Sequence, residues 1–163
     1  MNLTPMRFGD KQWYLVWSNQ GIHGLDTSLA WLEKRFAFVE QWEVVSDSPY
    51  IEMIQRYWEG NLEEHAIPIQ LLCGTTFQQQ VWQELLTIPR GEVRSYQEIA
   101  TQLGKPKAVR AVAHAIGQNP ILMFILCHRV IKHNGELGGY RGGEDLKAKL
   151  LQLEGFIINE NAK

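Results

Sequence analysis

Short aromatic and β-branched runs dominate the first part of the chain, and helix-spaced apolar positions dominate the rest. Trp13-Tyr14-Leu15-Val16-Trp17 predicts a strand. Asn19-Gln20-Gly21 then supplies a turn, and Ile22-His23-Gly24-Leu25 returns as a second strand of a hairpin. From Ser28 to Phe36 the apolar residues Leu29, Leu32 and Phe36 are spaced for a helix. Val44-Val45 fits another short strand, and Pro49 opens a helix through Trp58 that Gly60 ends. Ile67 to Leu72 reads as a strand, placed at a sheet edge because Pro68 lacks an N–H.

After Cys73-Gly74-Thr75 the pattern becomes helical. Thr75 or Thr76 caps a predicted helix from Phe77 to about Leu86, with Phe77, Val81 and Leu85 on one face. Pro89-Arg90-Gly91 is a turn. Ser95 and Glu98 form a capping-box pattern for a helix from Tyr96 to Leu103. Gly104-Lys105-Pro106 breaks the chain before a helix over 107–117, so the two short helices resemble a helix-turn-helix. The change of pattern sets two domains, 1–73 with mixed strands and helices and 74–163, mostly helical.

The 107–117 helix has two faces. Val109, Val112, Ala113 and Ile116 are expected inward, while Lys107, Arg110, Ala111 and His114 form a basic face. That face suits phosphates, or it is simply solvated. In the last helix, about Glu144 to Glu154, Leu146, Leu150 and Leu153 mark the buried stripe. Glu154 falls on the apolar side, where a carboxylate needs a partner; His128 is the candidate, unless the helix end turns Glu154 outward.

Composition narrows the class. The chain has 163 residues, 45% hydrophobic and 21% charged, the balance of a soluble globular protein. No apolar run is long enough to span a bilayer, and the opening MNLTPMRFGDKQ carries no secretory pattern. Two cysteines are too few for a disulfide framework and suggest a reducing, cytoplasmic setting. No Cys/His cluster has zinc spacing. Residues 1–89 hold 5 Lys and Arg against 11 Asp and Glu, a balance of −6; residues 90–163 hold 11 against 7, a balance of +4. A polyanionic partner for the basic half is one reading, and charge scatter is the other.

Within that half, Cys127 ends an apolar run and is followed by His128 and Arg129. A thiol acts as a nucleophile when it becomes a thiolate, and adjacent basic or cationic groups promote that. A free cysteine after such a run also fits a small core hydrophobe. Cys73, beside the boundary, reads as structural, and His23, His65 and His133 have no evident partner in the sequence.

Taken together, these residues resemble the O6-alkylguanine-DNA alkyltransferases, whose signature is Pro-Cys-His-Arg-Val. The chain has Leu126-Cys127-His128-Arg129-Val130. Gly74-Thr75, Val81-Trp82, Ile88-Pro89, Gly91-Glu92, Ser95-Tyr96, Arg110-Ala111-Val112, Asn119-Pro120, Tyr140, Gly142-Gly143 and Leu150 to Gly155 follow in the family's order. The likeness is specific over 74–155 and weak over 1–73.

The resemblance implies an α/β, ribonuclease-H-like N-terminal domain followed by a mostly α domain with a winged helix-turn-helix. It implies direct reversal of DNA damage: O6-alkylguanine, and O4-alkylthymine with it, is flipped from duplex DNA and its alkyl group passes irreversibly to Cys127. Glu154, His128 and a bridging water would deprotonate the thiol, and Asn119 would order its turn. Tyr96 would rotate the base out, Arg110 would fill the gap, and Lys107 would lie at the DNA. The carbonyls of Cys127 and Val130 would accept from the guanine amino group and the Arg141 N–H would donate to O6, in a pocket shaped by Tyr140 and Gly142, with Lys147 nearby. No cofactor, no membrane and a monomer are implied.

Leu126 departs from the family's proline, which predicts a slower or less stable protein. His114 stands where relatives carry small residues, as a phosphate contact or a tolerated surface residue. Three rivals differ in class. Alkyltransferase-like binders lack the acceptor cysteine, alkylation-sensing regulators carry an added module, and Cys-His hydrolases use a histidine distant in sequence. Cys127, the N-terminal sequence and the adjacent Cys-His pair argue against each in turn.

Overall fold

The computed structural model describes residues 1–61 and 67–156; His65 lies outside them. These residues fall into two compact units. The first is Met1–Cys73 with Pro120–Phe124, and the second is Gly74–Asn119 with the described residues from Ile125 onward. Among the described residues there are six α-helices, and the larger sheet is small and mixed.

The first unit is built on strands β1 (Asn2–Phe8), β2 (Lys11–Ser18), β3 (Gly21–Asp26) and β4 (Glu43–Val44), in the order β3-β2-β1-β4. β1 pairs antiparallel with β2 along its length and β2 with β3, while β4 adds parallel to β1 at Asn2 and Leu3. Helix α1 (Leu29–Arg35), capped by the Ser28 side chain, packs Leu32 against Val16, with Phe36 in the same cluster. A Cβ on Gly24 would lie 2.9 Å from the Phe36 ring, so the absence of a side chain there permits this close packing. Helix α2 (Ile51–Trp58) buries Ile54 and Tyr57. Pro120–Phe124 joins this unit through Leu25 N–H to the Pro120 carbonyl and Leu122 N–H to the Leu25 carbonyl, both 2.9 Å. The Phe124 ring packs on Tyr57.

The second unit contains α3 (Thr76–Leu85), α4 (Tyr96–Gln102), α5 (Val109–Gly117) and α6 (Glu144–Leu153). Capping boxes at Thr75/Gln78 and Ser95/Glu98 start α3 and α4. The Trp82 indole donates to the Ala115 carbonyl at 2.8 Å and ties α3 to α5. A two-stranded parallel pair, β5 (Arg94–Ser95) with β6 (Val130–Ile131), completes the unit.

Several expectations change. Ile67–Leu72 is not a strand. Ile22 N–H donates to the Pro68 carbonyl and Gln70 N–H to the Ile22 carbonyl, leaving one bridge at Ile69. Pro68 has no N–H with which to extend it. On α5, Ala113 is exposed and Ala115 is buried beside Val112 and Ile116, because α3 and α4 cover the face centred on those three residues and Ala113 lies beyond its edge; the helix starts at Val109, and Lys107 lies in the turn before it. On α6, Lys147 and Leu151 join the buried face, while Leu153 is half-buried. His23 has partners after all. The Gln70 carbonyl can only accept, so Nδ1 donates to it at 2.9 Å and Nε2 takes the Ser18 hydroxyl at 2.7 Å.

Candidate active site

The parallel pair brings the site's elements together. Arg94 and Ser95 lie opposite Val130 and Ile131, so Tyr96 starts α4 beside the 3-10 turn Cys127–Arg129 that runs into β6. Cys127, His128 and Arg129 are all buried. The side-chain amide of Asn119 donates to the Ile125 carbonyl and to Cys127 Sγ, each at 2.9 Å. One side chain thus holds both the turn and the sulfur. Burial pushes the Cys127 thiol up; the Asn119 hydrogen bond and then the charges of Arg141 and Lys147 act against it without cancelling it. The thiol is therefore protonated at rest, and nucleophilic chemistry there needs a base.

Glu154, the C-cap of α6, lies beneath this turn and is buried. Arg129 grips it with both prongs: Nε to Oε1 at 2.9 Å and Nη2 to Oε2 at 2.6 Å. His128 Nε2 is 3.0 Å from the same Oε1. Burial alone would raise the Glu154 carboxyl, but the Arg129 and His128 hydrogen bonds and their charges outweigh it and bring it down to about 2. The carboxylate is ionised and accepts, so His128 donates from Nε2, and in the neutral ring Nδ1 carries the lone pair that can take a proton. Arg129 also donates to the Ile88 carbonyl at 2.5 Å.

The sequence reading missed Arg129 as Glu154's bidentate partner. Half of the signal was present: Glu154 is the carboxylate on an apolar stripe and needs a partner, but nothing in the sequence marks Arg129 as buried.

The loop ahead of α6 closes another side. Lys147 is buried and donates to the Val130 and Leu137 carbonyls at 2.5 Å, and to that of Gly139 at 3.3 Å. Burial lowers its ammonium to about 8, opposed by Cys127 and Glu144. The Val130 carbonyl thus already accepts one bond and retains a second lone pair. Arg141 donates to the Gly117 carbonyl at 3.2 Å and to the Asn119 carbonyl. Tyr140 and Gly142 are half-buried in this loop. At Gly138, φ is +76° and a Cβ would come 3.2 Å from the Tyr96 hydroxyl, so glycine suits both backbone and space.

Tyr96 and Arg110 share a surface cleft of about 530 Å³ with Val109, Ala113, Lys132 and His133. Burial, then the proximity of Cys127, raises the Tyr96 phenol. Lys107 lines a different hollow with Lys105, Pro106 and Ala108, at the turn into α5. Lys132 and His133 were given no site role from the sequence, although they closely follow the Cys-His-Arg segment. Among the described residues no His/Cys/Asp/Glu group could hold a metal ion, and no helix is long and apolar enough to cross a membrane.

A buried cysteine hydrogen-bonded by Asn119, in a unit whose helix α5 turns Arg110 outward, is the arrangement of a nucleophilic site in a DNA-binding protein, and comparison with known proteins supplies the family. Residues 76–156 match the family described as "6-O-methylguanine DNA methyltransferase, DNA binding domain". A Mycobacterium leprae methylated-DNA–protein-cysteine methyltransferase is 48% identical over 126 residues, covering 77% of this chain and 70% of that protein. The inducible Bacillus subtilis enzyme of the same name is 39% identical over 159 residues, covering 91% and 87%. The crystal structure of Mycobacterium tuberculosis OGT in complex with DNA aligns at TM-score 0.82 and 37% identity, covering 95% of this chain and 93% of that one. The chain belongs to the methylated-DNA–protein-cysteine methyltransferase family.

Proposed function

We propose that the protein repairs DNA by taking the alkyl group of O6-alkylguanine, and of O4-alkylthymine, onto Cys127. The observation that carries this reading is the buried Asn119–Cys127 contact beside an ionised Glu154 shared by His128 and Arg129. Glu154 orients His128, and His128 takes the thiol proton by way of a water molecule. The sulfur lone pair forms the S–C bond as the C–O6 bond breaks. The electron pair stays with guanine, which takes a proton as it leaves. A thioether does not revert, so each molecule reacts once.

O6 lies on the major-groove edge of the stacked base, out of reach of a buried sulfur, so the base must leave the stack, at a cost of a few kcal/mol. The half-buried Tyr96 and the exposed Arg110, sharing one cleft, suit rotation of the nucleotide and filling of the gap. The Val130 carbonyl and the Arg141 N–H serve as guanine contacts, with Tyr140 and Gly142 as walls. Helices α4 and α5 act as a helix-turn-helix, with β5 and β6 and the loop after them as its wing, and Lys107 meets phosphate. The first unit is ribonuclease-H-like. The protein works as a monomer in the cytoplasm, a setting that two free cysteines suit.

Incubation with duplex DNA carrying O6-methylguanine, followed by peptide mapping, tests this. The expected result is one methyl group per protein on Cys127, with guanine restored. Tight binding with Cys127 unmodified would overturn transfer and leave a non-catalytic binder.

A further inference from the structure

The Arg141 side chain lies close to the nucleophile but has no assigned part in the reaction. Its guanidinium reaches from the loop ahead of α6 to two carbonyls, Gly117 at the end of α5 and Asn119 in the turn that follows. A cation at a helix C-terminus is favoured by the carbonyls left unpaired there. The same Asn119 turns its side chain the other way, onto the Ile125 carbonyl and Cys127 Sγ. A continuous path of hydrogen bonds therefore runs from the guanidinium through Asn119 to the sulfur. The groups acting on the Cys127 thiol are Asn119, Arg141 and Lys147, and Tyr96 responds to Cys127 in turn.

We infer that the Arg141 side chain is a positioning residue. It anchors the loop to the end of α5, and it holds Asn119 in the orientation that fixes the sulfur. This rests on Cys127 being the alkyl acceptor. The backbone N–H of Arg141, proposed above as a guanine contact, is a separate group that side-chain substitution does not remove.

The test uses the full chain with Arg141→Ala and Arg141→Lys. Three quantities are read: single-turnover transfer at saturating methylated duplex, affinity for undamaged duplex, and the pH profile of iodoacetamide labelling at the Cys127 peptide without DNA. For Arg141→Ala the transfer rate should fall at least about ten-fold, since small misplacement of reacting groups is costly. Affinity should stay within about three-fold, and the labelling profile should move to higher pH. Arg141→Lys keeps the charge and should restore the labelling profile more than the rate. It also serves if the alanine variant does not fold.

Unchanged transfer and labelling would overturn the inference. So would loss of rate in proportion to loss of affinity, which would make Arg141 a DNA contact. Absence of transfer in the unsubstituted protein would instead overturn the proposed function, and the labelling profile would still judge the positioning role.

Discussion

Leu126 is the residue at which this chain leaves the family signature, and its backbone shows what the departure means. Its φ is −80° and ψ 46°, so φ falls within the range a proline ring imposes. The side chain is fully buried, and the N–H finds no hydrogen-bond partner among the described residues. A buried donor left unpaired costs about 1–3 kcal/mol. Proline would remove that donor and narrow the unfolded ensemble, worth about 0.4–1 kcal/mol. Against this, the smaller ring gives up about one buried CH₂, ~0.8 kcal/mol. The balance favours proline. Leu126→Pro is expected to raise Tm and to transfer at least as fast as the parent, measured by thermal melting and single-turnover kinetics. A lower Tm, or no change in either measurement, would refute the argument.

At the level of elements, α6 and the 3-10 turn are joined by one carboxylate. Replacing Glu154 with Gln leaves Arg129 buried without its counter-charge, a change that typically costs about 3–5 kcal/mol. The pH dependence follows from direction. Glu154 sits near 2 in the folded protein against an ordinary 4.5, so its stabilisation is complete above about 4.5 and is lost as pH falls through about 2. Denaturant unfolding of the parent and Glu154→Gln should therefore show a gap that is full near neutrality and closes towards pH 2. A gap independent of pH would refute the role of the charge.

The position of Glu154 was legible because Leu146 and Leu150 set its face by spacing. Arg129 was not, because no spacing in the sequence marks its guanidinium as buried beside His128. Strand β1 went unread for a different reason. Its buried positions Thr4, Met6 and Phe8 alternate with Pro5 and Arg7, and a proline inside a strand argues against one. β1 tolerates Pro5 because its pairing with β4 covers only Asn2 and Leu3. The capping boxes were legible because they are local.

For the whole molecule, the sequence carries −6 over residues 1–89 and +4 over 90–163, and α5 displays Arg110, Ala111 and His114 outward in the basic half. The two cations assigned to DNA should behave differently, because they occupy different hollows. Lys107, exposed at the turn into α5, is proposed to meet phosphate. Lys107→Ala should weaken binding to any duplex alike and reduce the slope of log affinity against log salt by about one counter-ion's worth. Arg110 shares the Tyr96 cleft and is proposed to fill the gap behind the flipped base. Its loss removes support for the extruded state rather than for the chemistry. Arg110→Ala should therefore slow transfer from methylated duplex by about 10- to 100-fold, the rate equivalent of ~1.4–2.7 kcal/mol. Methylation of Cys127 by the free base O6-methylguanine involves no flipping and should stay near the parent rate. Equal losses on duplex and free base would show that Arg110 acts on the reacting centre, and equal rates on both would show that the gap needs no arginine.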